Sequence, residues 1–249
     1  MIAGRHAVVA ALRGGDRVRR LYVARGAEPA LQQEIAALAA ERAVPVSLVD
    51  RSWLDARSGR VRHQGVLAEA APLEYADLGE LLAATGGEQM ALILALDQVQ
   101  DPQNLGAIIR TGAAAGAHGL VVPARRSAGL TGGALKAAAG TAETFPVARV
   151  TNLPRALEQL KRAGIWAAGA DASAPTPYWE ADFRRPLVLV IGGEDRGLGR
   201  LVREKCDFLV RIPMHKGSPC LNASVAAGIL LFEAVRQRSC ALLPRSDVP

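Results

Sequence analysis

The sequence predicts an α/β protein whose larger, C-terminal part carries a parallel sheet covered on both faces. Three observations predict it. From residue 91 onward, apolar runs at 92–96, 120–122, 145–150, 165–168, 187–191 and 208–212 are continuous rather than alternating. Stretches of helical periodicity separate them, near 105–115, 135–139, 153–163 and 198–204. Strands that are apolar at every position are those buried on both faces, as in parallel sheets. Residues 1–71 alternate helix and strand on a smaller scale and form a separate α/β unit.

In chain order, residues 7–12 form a short helix and residues 20–24 a strand. Pro29 starts a helix running to Arg42, with Leu31, Ile35 and Leu38 on one face. Residues 44–49 and 65–68 are further strands. Pro72 opens a connection that holds a brief helical pattern at Leu78, Leu81 and Leu82 and closes on Gly86 and Gly87. The domains therefore run 1–71 and 90–249, with a linker over 72–89. Near the end, Asn222 and Ser224 open a helix through Ile229, Phe232 and Val235. Arg236 and Arg238 lie at its far end, where cations suit the helix dipole.

Bulk properties exclude several classes. The chain has 249 residues, a net charge of +6, and only four lysines among its 30 basic residues. A surplus of arginine suits a polyanionic partner, although a general arginine bias gives the same count. No apolar run has membrane-spanning length, and the N-terminal apolar stretch is too short for a signal peptide, so the expected location is the cytoplasm. Cys206, Cys220 and Cys240 are far apart and read as reduced thiols. His6, His63, His118 and His215 lack metal-ligand spacing, so no metal is expected. Walker A, Gly-x-Ser-x-Gly and Gly-x-Gly-x-x-Gly patterns are absent, which removes the common NTPase, hydrolase and dehydrogenase readings.

Ligands of parallel sheets bind at the carboxyl ends of the strands, and three such ends stand out. The first runs from Asp97 through Asp101-Pro102-Gln103-Asn104 to Arg110 and places Asn104 and Arg110 near the start of one helix. The second is Gly192-Gly193-Glu194, where the glycines let the backbone approach a ligand closely. The third is Ile212-Pro213-Met214, followed by Leu221-Asn222-Ala223-Ser224-Val225-Ala226. Taken alone, each is equally an ordinary cap or turn.

Together and in order, the three strings resemble the motifs of the SpoU, or TrmH, family of knotted RNA ribose methyltransferases. Gly4-Arg5-His6 and His63-Gln64-Gly65 are similar to that family's ribosomal-protein-like RNA-binding domain. Residues 231–238 are similar to the members that methylate a guanosine 2′-hydroxyl in the P-site loop of 23S rRNA.

The resemblance implies a C-terminal trefoil knot, S-adenosylmethionine as cofactor, and a homodimer whose subunits complete each other's sites. It implies Gly140, Gly192, Gly193, Ile212, Met214 and Leu221 as cofactor-binding residues. The catalytic residues would be Arg110, Asn104, Glu194, Asn222 and Cys220. Arg5, His6, Arg20, His63 and Gln64 would meet the RNA. A guanidinium loses its proton only above about pH 12, so Arg110 is expected to act electrostatically, with Glu194 or a phosphate taking the proton. The chain departs from the family pattern at Cys220, where Ser is usual, at Lys216 and Pro219 in the same loop, and at Asp195. A tRNA or another rRNA nucleotide is the alternative substrate, and a non-catalytic ribosome-assembly factor the alternative class.

Overall fold

The computed structural model describes residues 1–59, 61–86, 90–215 and 220–242. The chain forms two compact units. One is Met1–Glu74 with Ala139–Thr144; the other is Tyr75–Ala138 with Phe145–Pro249.

The first unit contains β1 (Ile2–Ala3), α1 (Arg5–Gly14), β2 (Val18–Ala24), α2 (Pro29–Glu41), β3 (Val46–Val49), α3 (Arg51–Ser58) and β4 (Val66–Ala70). Its sheet has the order β1-β4-β2-β3, with β4 antiparallel to β1 and β2, and β3 parallel to β2. Pro29 sits in the first turn of α2, where a missing N–H costs nothing. Leu31, Ile35 and Ala39 of α2 pack with Val8 and Leu12 of α1 on Leu21 and Val23. Tyr22 and Ala24 face the other way, toward α3. Only Leu54 of α3 is buried, so the helix has no apolar stripe for periodicity to detect. Trp53 fixes it by ring contact with Tyr22, centroids 4.5 Å apart.

Residues 139–144 join this unit through Glu143. Its carboxylate accepts two hydrogen bonds from the Arg17 guanidinium, one of them at 2.6 Å. Arg17 also donates to Ala71 O at 2.6 Å.

The second unit contains α4 (Leu78–Ala84), β5 (Leu92–Asp97), α5 (Pro102–Ala114), β6 (Gly119–Pro123), α6 (Gly132–Ala137), β7 (Val147–Val150), α7 (Leu153–Arg162), β8 (Trp166–Ala170), β9 (Leu187–Gly192), α8 (Arg200–Lys205), β10 (Phe208–Val210) and α9 (Ala223–Leu242). Its sheet is wholly parallel, in the order β10-β8-β9-β5-β6-β7. Every residue of β5 is buried. Ile93 and Ala95 face Leu153, Leu157 and Leu160 of α7. Leu94 faces α5, where a Cβ on Gly112 would stand 2.9 Å from its Cδ1.

Residues 75–86, expected as linker, pack within this unit. Leu81 is fully buried, Ala76 pairs with Ala148, and the Tyr75 hydroxyl accepts the Leu130 N–H at 2.8 Å. Asp77 and Glu80 form a capping box at the start of α4.

The chain leaves β5 toward β6 and leaves β9 toward β10, in opposite directions across the sheet. The crevice between the carboxyl ends of β5 and β9 is therefore the topological switch point, where such sheets bind ligands. Asp97 and Gly192 are paired at that edge.

The last helix is fixed by polar contacts. Arg238 is buried and donates to the carbonyls of Met90 (2.6 Å), Arg185 (2.9 Å), Phe183 (3.0 Å) and Ala91 (3.2 Å). Gln237 accepts the Phe183 N–H at 2.8 Å and donates to Ala181 O at 3.0 Å. One guanidinium thus ties α9 to the segments entering both central strands. Replacing it leaves the buried Phe183 carbonyl without its side-chain donor, at a cost of about 1–3 kcal/mol, while Ala91 O keeps the Leu187 N–H. Arg238→Met is expected to lower the unfolding free energy by that amount, read as a lower denaturant midpoint at unchanged slope. Arg238→Lys should recover only part, because an ammonium lacks the planar fork. Chemical denaturation of the three proteins checks this.

Candidate active site

The site begins with close backbone approaches. A Cβ on Gly192 would lie 2.2 Å from the Gly197 carbonyl carbon, and one on Gly193 2.6 Å from Gln98 O. These are contacts with main chain, which cannot swing aside. Gly197 returns an N–H to Gly193 O at 2.8 Å and closes a tight turn. The loop after β9 is thus pressed against the loop after β5. Asp97, 8 % exposed, locks the arrangement by accepting the Gly199 N–H at 2.7 Å.

This packing delivers Glu194 to two asparagines. Its Oε1 accepts from Asn104 Nδ2 at 2.8 Å, from Asn222 Nδ2 at 2.7 Å and from the Ala223 N–H at 3.2 Å. Asn222 also donates to Asn104 Oδ1 at 2.8 Å. Its own Oδ1 caps α9, accepting from the Ser224 N–H at 2.9 Å and from Ser224 Oγ at 2.6 Å. One carboxylate oxygen is therefore held by donors from two helix starts. The other makes no hydrogen bond among the described residues.

Two cavities meet at this carboxylate. The larger, about 580 Å³, is lined by Asn104, Glu194, Gln98, Gln100, Arg126 and neighbouring residues. The smaller, about 410 Å³, brings together Gly192, Gly193, Ile212, Met214, Cys220 and Leu221. Glu194, Asp195, Arg196, Gly193 and Ala223 line both. Ile191, Val210, Ile212 and Leu221 give the smaller cavity apolar walls for a flat ring, and Glu194 and Asp195 give it acidic groups for a cationic centre. Its residues therefore fit an adenosyl sulfonium.

Five of the six expected cofactor residues converge on the smaller cavity. Gly140 belongs to the first unit, at φ 89°, where a Cβ would stand 2.7 Å from that of Ala10. Asn104, Glu194 and Asn222 are brought together. Arg110 is not: it is exposed on α5, six residues beyond Asn104, lines neither cavity, and its side chain makes no hydrogen bond or ion pair with the described residues. Six residues turn a helix by about 240°, so the two side chains diverge rather than share one cleft. Lys216 and Pro219 lie outside the described residues.

Among the expected RNA contacts, His6 and Arg20 are exposed. Arg5 is paired with Glu34 at 2.8 Å. Gln64 Oε1 accepts the Arg5 N–H at 3.1 Å. His63, 5 % exposed, is engaged at both ring nitrogens: Nδ1 accepts the Gly65 N–H at 3.0 Å and Nε2 donates to Asp55 at 2.9 Å. Its place is the inside of a turn, where it shapes the loop. Sequence reasoning missed Asp171, Ser173 and Arg203, which line the smaller cavity as a linked set, and Arg126, which lines the larger. No motif marks any of them.

A parallel sheet with two cavities sharing a pinned carboxylate at its switch point defines a class: an α/β enzyme that sets a cofactor beside a second substrate. The chain belongs to the SpoU rRNA methylase family, whose sequence pattern matches residues 91–232. A second pattern, RNA 2′-O ribose methyltransferase substrate binding, matches residues 1–76. The YacO protein of Bacillus subtilis, named for the TrmH family of tRNA/rRNA methyltransferases, is 44% identical over 96% of both chains. Among solved structures, the SpoU methyltransferase AviRb of Streptomyces viridochromogenes, in complex with AdoMet, has a TM-score of 0.82 at 26% identity, covering 96% of this chain and 90% of its own. An AdoMet-bound rRNA methyltransferase from Sinorhizobium meliloti has a TM-score of 0.79 at 28% identity, covering 97% of this chain and 87% of its own. A TrmH/SpoU tRNA modifying enzyme of A. aeolicus has a TM-score of 0.56 at 31% identity, covering 66% of this chain and 83% of its own.

The cysteines differ in environment. Burial, aided by the neighbouring Asp207 charge, pushes the Cys206 thiol up to about 12. A group so shifted stays protonated through neutral pH and is a poor nucleophile. Cys220 is exposed at the smaller cavity. Iodoacetamide at pH 8 is expected to alkylate Cys220 and spare Cys206 in the native protein, read by peptide mass mapping. Cofactor added first should slow labelling of Cys220. Cys220→Ser should retain or raise the methylation rate, measured with labelled donor.

Proposed function

We propose that this protein transfers a methyl group from S-adenosylmethionine to a ribose 2′-hydroxyl of a guanosine in the P-site loop of 23S rRNA. The substrate is the RNA or a ribosomal precursor, and the enzyme works as a cytoplasmic homodimer with a knotted C-terminal domain. One observation carries the reading: Glu194, pinned through one oxygen by Asn104, Asn222 and the Ala223 N–H, forms the common wall of a cofactor-shaped cavity and a more polar one. The S-adenosylmethionine bound by AviRb and the Sinorhizobium enzyme supports the choice of donor.

When bound, S-adenosylmethionine supplies a methyl carbon activated by its sulfonium. Gly192, Gly193, Ile212, Met214 and Leu221 would hold it, the glycines through main chain. Asn104 and Asn222 keep the Glu194 carboxylate at one orientation. Glu194 would receive the proton of the ribose hydroxyl through its second carboxylate oxygen. Holding the two reactants in place supplies about 7–11 kcal/mol of the barrier reduction, and a positioned base a further factor of about 10²–10⁴.

Arg110, exposed on α5 and outside both cavities, would serve the reaction from one protomer in the partner's site. The stripe of α9 bearing Val225 and Phe232, 48 % and 51 % exposed, supports pairing of protomers. They stand seven residues apart on one helix face. The first unit, with its match to a substrate-binding pattern, favours ribosomal RNA over the shorter tRNA enzymes.

Mapping ribose methylation in rRNA from cells with and without the gene should show loss at one 23S guanosine. An unchanged 23S map with a lost tRNA methyl group would instead support the tRNA reading. Glu194→Gln is expected to lower kcat by about 10²-fold or more while still binding S-adenosylmethionine, read by calorimetry. Arg110→Ala should lose activity, and guanidine at neutral pH should restore part of it; full activity in the untreated variant contradicts its role.

A further inference from the structure

Backbone strain in the second unit is concentrated at one place. Among its described residues, the non-glycine residues with left-handed backbone are Gln98, at φ 63°, and Arg126, at φ 59°. Both line the larger cavity. Such residues cost about 1–3 kcal/mol each and persist where the surroundings fix them for a purpose.

The surroundings of Arg126 do fix it. It lies on the loop between β6 and α6, which is tied down before and after it. Ala124 donates to Val150 O at 2.8 Å and accepts from Arg149 Nη2 at 3.1 Å. Ala128 donates to Val99 O at 2.8 Å, and Leu130 to the Tyr75 hydroxyl at 2.8 Å. Arg149 also lies over the Tyr75 ring, 5.1 Å from its centroid. The Arg126 guanidinium itself has no hydrogen-bond or ion-pair partner among the described residues. A strained backbone, held on both sides, thus presents an uncommitted planar cation to the cavity that also holds Asn104 and Glu194. The volume, about 580 Å³, falls within the size range of small-ligand sites, about 300–1,000 Å³.

We propose that Arg126 is a substrate-positioning residue that holds an RNA phosphate flanking the target ribose. The assignment rests on the proposed function and adds the group that fixes the substrate strand. The guanidinium fork matches two phosphate oxygens. A phosphate and the 2′-hydroxyl beside it belong to one nucleotide step, so a cation sharing the cavity with Glu194 can set the hydroxyl against the carboxylate. Gln98, from the adjacent loop, adds amide donors to the same wall.

The test uses Arg126→Ala and Arg126→Lys in the full-length protein, with unmodified ribosomal RNA and transfer RNA as probes. Filter binding against salt gives the affinity and its salt slope without turnover. Arg126→Ala is expected to weaken binding of the methylated RNA about tenfold and to reduce the salt slope by about 0.7–0.9, the share of one phosphate contact. The KM for RNA should rise in step and kcat should fall, because the hydroxyl is no longer held against the carboxylate, while S-adenosylmethionine affinity by calorimetry stays unchanged. Arg126→Lys should restore the salt slope, since the charge is kept, but only part of the affinity, since the fork is lost. Unchanged RNA affinity and salt slope in Arg126→Ala would overturn the assignment, as would a loss confined to kcat or cofactor affinity. A wild-type protein that binds these RNAs but methylates neither contradicts the proposed function, and the salt slope still decides whether Arg126 contacts phosphate.

Discussion

The second unit is organised by one carboxylate oxygen. Glu194 Oε1 takes hydrogen bonds from Asn104, Asn222 and the Ala223 N–H, groups separated by up to 119 positions of chain. A carboxylate with three N–H donors on one oxygen does not rotate freely. The loops after β5 and β9 and the start of α9 are thereby tied to one another, and the two cavities take their common wall from that tie. Gly192 and Gly193 permit it, because any side chain there would meet main chain. Asp97 and its bond to the Gly199 N–H brace it from below.

Much of this was legible because it depends on short local strings. Parallel strands buried on both faces are continuously apolar, and β5, β6 and β9 lie where those runs predict. β7 begins at Val147 rather than at 145, since Phe145 packs beside Gly112 and Pro146 has no N–H for a ladder. β10 ends at Val210, and Arg211 pairs instead with the segment at 176–178. The motif strings also come together: five of the six expected cofactor residues line one cavity.

What was hidden is tertiary. Asn104 and Arg110 look like companions along the chain, yet helical geometry sends them apart. His63 reads as a polar donor on a loop; in three dimensions it is the buried peg on which the loop turns. Arg17 carries no motif, yet its guanidinium is engaged by Glu143, 126 positions away. Residues 139–144 join the first unit through that pair, which no local pattern announces. Arg126 is one arginine among many until its backbone angle and its cavity are known.

The account turns on where the donor sits. A crystal structure of the protein with S-adenosylhomocysteine tests it most directly. The account predicts the adenine against Ile212 and Leu221, main-chain contacts at Gly192, and the sulfur directed toward Glu194. Ligand bound elsewhere, or none in that cavity at saturating concentration, would contradict it.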